Sequence, residues 1–545
     1  MIASVSDFMV CAQKVQAARR FYHNGSHRRA TECFPGIPVR EPNRNRNKNP
    51  EPGTQNSERY NLHPVRSYWI RIRGDHAEGD LSCEAGHRLP SANGSADGIF
   101  AGWRWTGRDL VVEQDRYGFY PLFEWRSGET RTISTDLLTL VARGAPTAYD
   151  LDALSVFVRV GFFVGTDTPF TSIRALHPPP LPRRALPMSR LQAVDAFIDG
   201  FRGAIARRLP SAPFVMPLSG GRDSRHILLA LRDAGHVPRA CVTVRHFPPR
   251  ANDDEAIARE LCGALRVEHR VLDQPRDRAA VERRKNEATH LCSDEHAHFV
   301  ILAEHLRAHT PETYDGIAGD VLSQSTYLRP DVHALFERGD LQGVAEFVLD
   351  GYGTMMAESA LARVLDPAIY CELSRERAVS RLATEAAAHV HAPNPTGSFF
   401  FNNRTRREIA LAPFGLMRDI TAFAPYLDHE VFDLLAGLPA SLLMDRTLHT
   451  DAIARAWPQF AGVPYERKGL KTRDRAATRA VARALCRAVL HEPLRRWVRP
   501  SALMPGLAAS VVDGSAERLW HAPLVFYLDQ MMAVAAAASV VPRAR

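Results

Sequence analysis

No Cys-x-x-Cys pair and no evenly spaced cysteine framework occurs in the 545 residues. The eight cysteines (Cys11, Cys33, Cys83, Cys241, Cys262, Cys292, Cys371 and Cys486) are scattered, so reduced thiols packed as small apolar groups are expected instead of a disulfide scaffold. No window holds the roughly 18 uninterrupted apolar residues of a spanning helix. The nearest, Met531 to Pro542, is cut off from Leu524 to Leu528 by Asp529 and Gln530, and no membrane partner is expected. The opening MIASVSDFMVCAQKVQAARR lacks the basic start, long apolar core and small-residue cleavage site of a secretory signal, which makes the cytoplasm the expected location. No internal repeat is visible.

What is present is the balance of a folded protein, 45% hydrophobic and 24% charged, long enough for two or three domains of about 150 residues. The net charge of +8 is uneven. Residues 1–60 carry ten Lys and Arg against five Asp and Glu, and residues 471–510 carry nine against two, so the body between is near neutral. A nucleic-acid groove is not required. Arginines 475, 479, 483 and 487 recur every four residues in an Ala-rich stretch and should line one solvated helix face. The segment FPGIPVREPNRNRNKNPEPG is dense in Pro, Asn and charge, and residues 1–60 read as a basic, disordered tail.

From Val65 to about Thr135, short alternating runs broken by glycine (SYWIRIRG, GIFAGWRW, RDLVVEQD, GFYPLFEW) predict antiparallel sheet with tight turns. Leu137 to Val160 reads as helix, and LHPPPLP at 176–182 marks a boundary. The expected domains are therefore 1–60, 61–185 and 190–545. The last should alternate helix, strand and glycine turn, as a parallel sheet with covering helices does, and become mostly helical over 325–465.

One motif carries chemistry. The apolar run Phe214 to Leu218 feeds Ser219-Gly220-Gly221-Arg222-Asp223-Ser224, and the helical pattern HILLALRDAG follows. Two glycines let an anion approach the backbone, and the helix start offers it unpaired N–H groups and a partial positive charge. Serine hydroxyls add donors, and Asp223 has the chemistry to hold magnesium against the same phosphates. The chain contains no Gly-x-x-x-x-Gly-Lys-Ser/Thr loop of the kind that serves terminal-phosphate transfer, so another use of ATP is indicated.

These residues resemble the SGGxDS pyrophosphate loop of ATP pyrophosphatases, and their surroundings resemble the asparagine synthetase-like family. DGIFAGWRWTGRDLVVEQDRYGFYPLFEW (97–125) is similar to that family's glutaminase-type sheet, in which an R-D-x-x-G-x-x-P-L segment recurs. STDLLTLVA (134–142) and TPFTSIRALHPP (168–179) resemble the segments after it. NDDEAIARELCGALRVEH (252–269), YDGIAGD (314–320) and APYLDHEVFDLLAGLP (424–439) resemble successive landmarks of its synthetase domain. The resemblance implies a degenerate N-terminal-nucleophile, glutaminase-like αββα sandwich, α+β in class. An α/β parallel-sheet ATP-pyrophosphatase domain with a helical C-terminal part would follow it. It implies ATP and Mg2+ as cofactors. Ser219, Gly220, Gly221, Asp223 and Ser224 would cradle pyrophosphate, Leu218 and Val244 flank the nucleotide, and Asp315 and Gly316 touch ATP. Asp223 and Asp320 would hold the metal. Lys468, in Arg467-Lys468-Gly469, falls where the family keeps a catalytic lysine, with Lys471 as its competitor.

Two departures narrow the implied activity. Glutamine-dependent members expose an N-terminal cysteine, whereas Ile2 follows Met1 here, so a first domain making no ammonia is expected. In YDGIAGD, Ile317 stands where asparagine synthetases place Glu and β-lactam synthetases Tyr. An apolar residue receives no proton, and a peptide α-amine, with a pKa of about 8, needs less help from a base. Together with RDITAFAPYLDHE, these features resemble lasso peptide cyclases. Such enzymes adenylate an Asp or Glu side chain of a ribosomal precursor peptide and join it to the peptide's N-terminal amine as a macrolactam. A leader peptidase is the implied protein partner. A free amino acid amide ligase, either ammonia-dependent asparagine synthesis or β-lactam formation, and a non-catalytic scaffold for a partner peptidase are the alternative readings. His290, Cys292, Asp294, His296 and His298 match no zinc spacing. Asp253, Asp254 and Glu255 are expected to cap a helix, and His226 to be a packed or capping histidine.

Overall fold

A computed structural model of the chain describes residues 66–90, 96–247, 253–351, 357–466 and 474–540. The basic tail and the segment holding Lys468 and Lys471 lie outside the described residues. The fold is mixed α/β, with both antiparallel and parallel sheets.

The first half is built on eight strands: β1 Trp69–Arg73, β2 His76–Gly79, β3 Ser82–Leu89, β4 Asp97–Trp105, β5 Leu110–Gln114, β6 Phe123–Ser127, β7 Thr130–Ser134 and β8 Ile173–Ala175. They form two antiparallel sheets, β2-β1-β7-β6-β8 and β3-β4-β5, whose inward residues, among them Ile70, Ile133, Ala101 and Trp103, belong to one core. The turn before β6 is organised by Asp115. Its carboxylate accepts backbone N–H groups from Tyr117, Phe119 and Tyr120 at 2.9–3.1 Å, while burial pushes its pKa up to about 6. Gly118 has φ +65°, and a Cβ there would lie 2.5 Å from His177 Cβ; the D-x-x-G spacing is thus a packing requirement.

Among the described residues up to 185, the helices are Leu137–Ala142 and Leu151–Val160, and both share a core with Phe123 of β6. The expected αββα layering differs on its other side. Residues 97–103 of β4 are all buried, and His87 and Asp97 meet Phe423 and Arg208 of the second half. The far face of the three-stranded sheet is therefore closed, in part, by the second half of the chain itself.

Five short parallel strands frame that second half: β9 Val215–Pro217, β10 Ala240–Val244, β11 Glu268–Leu272, β12 Glu312–Tyr314 and β13 Thr421–Phe423. β9, β10 and β11 are hydrogen-bonded in the order β11-β10-β9, and β12 pairs with β13. Thr313 Oγ1 donates to the Val215 carbonyl at 2.8 Å and brings β12 beside β9. The two sheets thus abut with β12 beside β9, in the sequence β11-β10-β9 then β12-β13, and the order reverses between β9 and β12. Open α/β sheets bind ligands at such a switch point, beyond the carboxyl ends of the strands.

Residues 330–456 are mostly helical. The arginine-rich helix Arg475–Leu490 buries Val481, Leu485 and Val489 and leaves Arg475, Arg483 and Arg487 exposed and Arg479 partly so, as its four-residue spacing predicts. The last helix, Ala522–Val540, runs unbroken through Asp529 and Gln530, and its Ala522–Ser539 window is, by length and composition, long and apolar enough to cross a membrane. Half of that window is buried. Gln530 exchanges hydrogen bonds with Asn286, the Arg283 carbonyl and Glu287, so its amide is satisfied inside the protein instead of ending the helix.

The two halves are joined by a buried ion cluster. Arg208 bonds Asp97 of β4 and Asp428, each at 2.5 Å; Arg207 adds a bidentate pair to Asp428 at 2.7 and 2.8 Å. The Arg208, Asp97 and Asp428 side chains are at most 5% exposed. Removing one member of a buried pair strands its partners at a cost of about 3–5 kcal/mol. Arg208→Met is expected to lower the unfolding free energy in urea by that amount, and adding Asp97→Asn should restore part of it.

Candidate active site

Each element of the candidate loop has a local cause. β9 ends at Pro217. Leu218 is fully buried beneath the loop, its N–H bound to the Val242 carbonyl (2.9 Å) and its carbonyl to Thr243 Oγ1 (2.7 Å). Val244, also buried, ends the adjacent strand β10. Ser219 and Ser224 fold the loop back on itself: Ser224 Oγ accepts the Ser219 N–H at 3.1 Å and lies 3.1 Å from Ser219 Oγ, which in turn accepts the Gly221 N–H at 3.2 Å. The helix Asp223–Asp233 then begins, with Asp223 in its first turn.

Asp254 does not cap its own helix, as the sequence suggested. Its Oδ1 accepts the Gly220 N–H at 2.7 Å, and Asp253, at the cap position, makes no side-chain capping bond. The loop N–H thus holds a carboxylate, the kind of anionic oxygen that such a turn recognises. On the loop's other side, Arg222 and Arg225 lie over the Tyr465 ring at 4.4 and 4.1 Å. Arg225 also donates to the Val463 and Pro464 carbonyls, and the Glu466 N–H donates to the Gly220 carbonyl at 3.1 Å. The described chain therefore reaches the loop just before Arg467.

The second landmark seats directly on the first. Asp315 N–H donates to the Phe423 carbonyl at 2.9 Å, and its Oδ1 accepts the Ile317 N–H at 2.8 Å, which makes a tight turn. A Cβ on Gly316 would stand 2.6 Å from Asp223 Cβ, and one on Gly319 would stand 2.5 Å from Asp223 Oδ1. Between them, Ala318 takes the left-handed φ of +70°, a strained conformation that tends to gather at functional sites. Ile317 points into the core and is 1% exposed. Asp320 follows as the first residue of the π-helical turn Asp320–Gln324, a geometry frequent at functional sites.

Asp223 and Asp320 are thereby brought together at the switch point. Burial pushes each up to about 6, and the charge of Asp223 further raises Asp320; Asp315 is raised as well, chiefly by burial. Carboxylates that crowd and desolvate one another favour a bound cation. Asp223 Oδ1 is buried without a hydrogen-bond partner among the described residues, so the donor set fits a divalent ion. Among those residues no three His, Cys, Asp or Glu side chains form a metal cluster. An ion here would complete its shell from nucleotide oxygens and water, as Mg2+ commonly does.

Several residues of this site carry no sequence signal. Arg404, 5% exposed, bonds Tyr327 and pairs with Glu408 at 3.2 Å, and its charge reaches Asp320. A narrow cleft between the halves is lined by Val321 and Leu322, next to Asp320, and by Tyr117, Arg183 and Phe432 among others. The histidine-rich stretch disperses: His290 bonds Asp136 at 2.9 Å, His296 bonds Ser293 at 3.0 Å, and His298 packs on Phe299.

Overpacking a tight contact costs about 1–3 kcal/mol. Gly319→Ala is expected to lose that much stability in urea. Gly263→Ala, in the helix Asp254–Leu265 with open space around its Cβ position, should instead be neutral or gain up to about 1 kcal/mol. No family model matches the chain, and no curated protein matches it.

Proposed function

We propose that the chain is an ATP-dependent carbon–nitrogen ligase, a lasso peptide cyclase that closes a macrolactam within a precursor peptide. The observation that carries the reading is the seating of Gly316 and Gly319 against Asp223, which sets two buried carboxylates beside a glycine loop at the carboxyl ends of parallel strands. Bound ATP and Mg2+ would supply the activation of an Asp or Glu side chain as its acyl-adenylate, with pyrophosphate leaving and the peptide's N-terminal amine attacking.

The chain's own residues have distinct tasks in this reading. The Ser219 and Ser224 hydroxyls are the donors for phosphate oxygens, held in place by the Gly221 and Ser219 N–H groups, while Asp254 holds the Gly220 N–H. Asp223 and Asp320 hold the cation that offsets charge on the departing pyrophosphate. Ile317 supplies no base, and the α-amine, with a pKa of about 8, attacks in its neutral form. Lys468 is assigned by resemblance to stabilise charge at the reacting carboxyl, an effect worth a few kcal/mol in a dry site.

Purified protein with ATP, Mg2+ and its precursor peptide should yield AMP and pyrophosphate, and a peptide lighter by one water; ADP and phosphate would reject the assignment. Asp223→Asn and Asp320→Asn, each folded by circular dichroism, should abolish pyrophosphate release. The double variant should be little worse than either single one, because the two act as a unit.

A further inference from the structure

Behind Asp223 lies a pair of histidines that the reaction as described does not use. His226 and His449 are fully buried. His226 Nδ1 is 3.0 Å from His449 Nε2, and His449 Nδ1 is 2.9 Å from Ser323 Oγ and 3.2 Å from Asp223 Oδ1. Tyr426 closes the group, its hydroxyl 3.2 Å from the Asp223 carbonyl and 3.1 Å from His449 Nε2.

Donor accounting fixes the direction of the chain. Ser323 O–H donates to the Gly319 carbonyl at 2.5 Å, so its oxygen must accept from His449, and the His449 proton sits on Nδ1. His449 Nε2 then accepts from His226 Nδ1–H. That leaves His226 Nε2 as a bare acceptor without a partner among the described residues, its ring stacked on Phe201 at 3.9 Å. The Tyr426 hydroxyl is free to donate to the Asp223 carbonyl. Burial lowers the pKa of both imidazoles, and the charge of Arg222 lowers that of His449 further. The donors thus run from His226 through His449 to Ser323 and end on the Gly319 carbonyl, one residue before Asp320, with Asp223 Oδ1 beside His449 Nδ1.

We propose that His449, oriented by His226, is a positioning residue. Its Nδ1–H serves Ser323 on the Asp320 turn and flanks Asp223 Oδ1, so that both carboxylates are registered for one divalent cation and its nucleotide. The Asp223 contact is off the ideal hydrogen-bond axis in the free protein; such bonds often tighten only when the site is loaded. Outer groups of this kind orient metal ligands, and losing them costs 10- to 100-fold in metal affinity. The inference rests on the reading of Asp223 and Asp320 as a cation site.

The test separates the two ring nitrogens, with Mn2+ as the probe. Binding is followed by electron paramagnetic resonance in the presence of a non-hydrolysable α,β-methylene ATP, and thermal unfolding is measured alongside. His449→Asn places an amide near Nδ1 and should keep Mn2+ affinity within about threefold, whereas His449→Gln, which keeps a polar atom only near Nε2, should weaken it by about 10- to 100-fold. Ser323→Ala, a one-atom deletion that keeps the fold even if the histidine variants do not, should weaken it about tenfold. Equal affinities for the Asn and Gln variants, or unchanged binding by a folded Ser323→Ala protein, would overturn the proposal while leaving the cation site standing. A wild-type protein that binds no Mn2+ with the nucleotide would overturn both.

Discussion

The closeness of one backbone to one carboxylate governs the rest of this molecule. Asp223 meets the turn 316–319 with no room for a Cβ at either glycine, and the position of Asp320, the strain at Ala318 and the burial of Ile317 all follow from that approach. Two carboxylates held this near one another, and shielded from water, are costly to keep charged. A packed core spends nothing on such an arrangement unless a cation or a reacting group offsets it, which ties the local strain to the proposed chemistry.

The sheet explains how segments almost a hundred residues apart come to share a site. β9 and β12 are neighbours through Thr313, yet the chain leaves β9 toward β10 and returns to β12 only after two further strands and their helices. The loops at their carboxyl ends meet at that seam, with Gly316 and Gly319 seated against Asp223. The helix Leu448–Ala456 then reaches in from behind with His449, and the segment 463–466 is pinned to the loop by Arg225 and Tyr465. Three distant stretches of chain are fastened to one turn.

How much of this was legible in the sequence depended on range. The antiparallel half, the alternation of strand and helix after residue 190, and both glycine motifs were readable because each is a local pattern with a local cause. Asp254 reads as a cap, because three acidic residues open an apolar helix, and only the fold shows that its carboxylate accepts the Gly220 N–H, 34 residues away. His449 and Arg404 left no trace, since a polar residue inside a helix has no periodicity that reveals what it faces. Asp529 and Gln530 interrupt an apolar run, and only the fold shows that Gln530 finds its partners on the helix Arg278–Ala288. Polar groups satisfied across long separations are what a linear reading misses.

The double-sided burial of β4 has a consequence for how this chain can be divided. A strand covered on only one face would allow the two halves to be expressed apart and mixed. Here Ile99, Phe100 and Trp103 are almost wholly shielded, and Asp97 at the same strand's start is met by Arg208 from beyond the proline-rich junction. A fragment ending near residue 185 would carry a bare apolar sheet face and an acid without its partner, while the complementary fragment would keep the Arg208–Asp428 pair but lose the apolar surface and the Asp97 carboxylate that cover it. Both would be prone to self-association. The first half is therefore inseparable from the second as a folding partner, whatever part it takes in the chemistry.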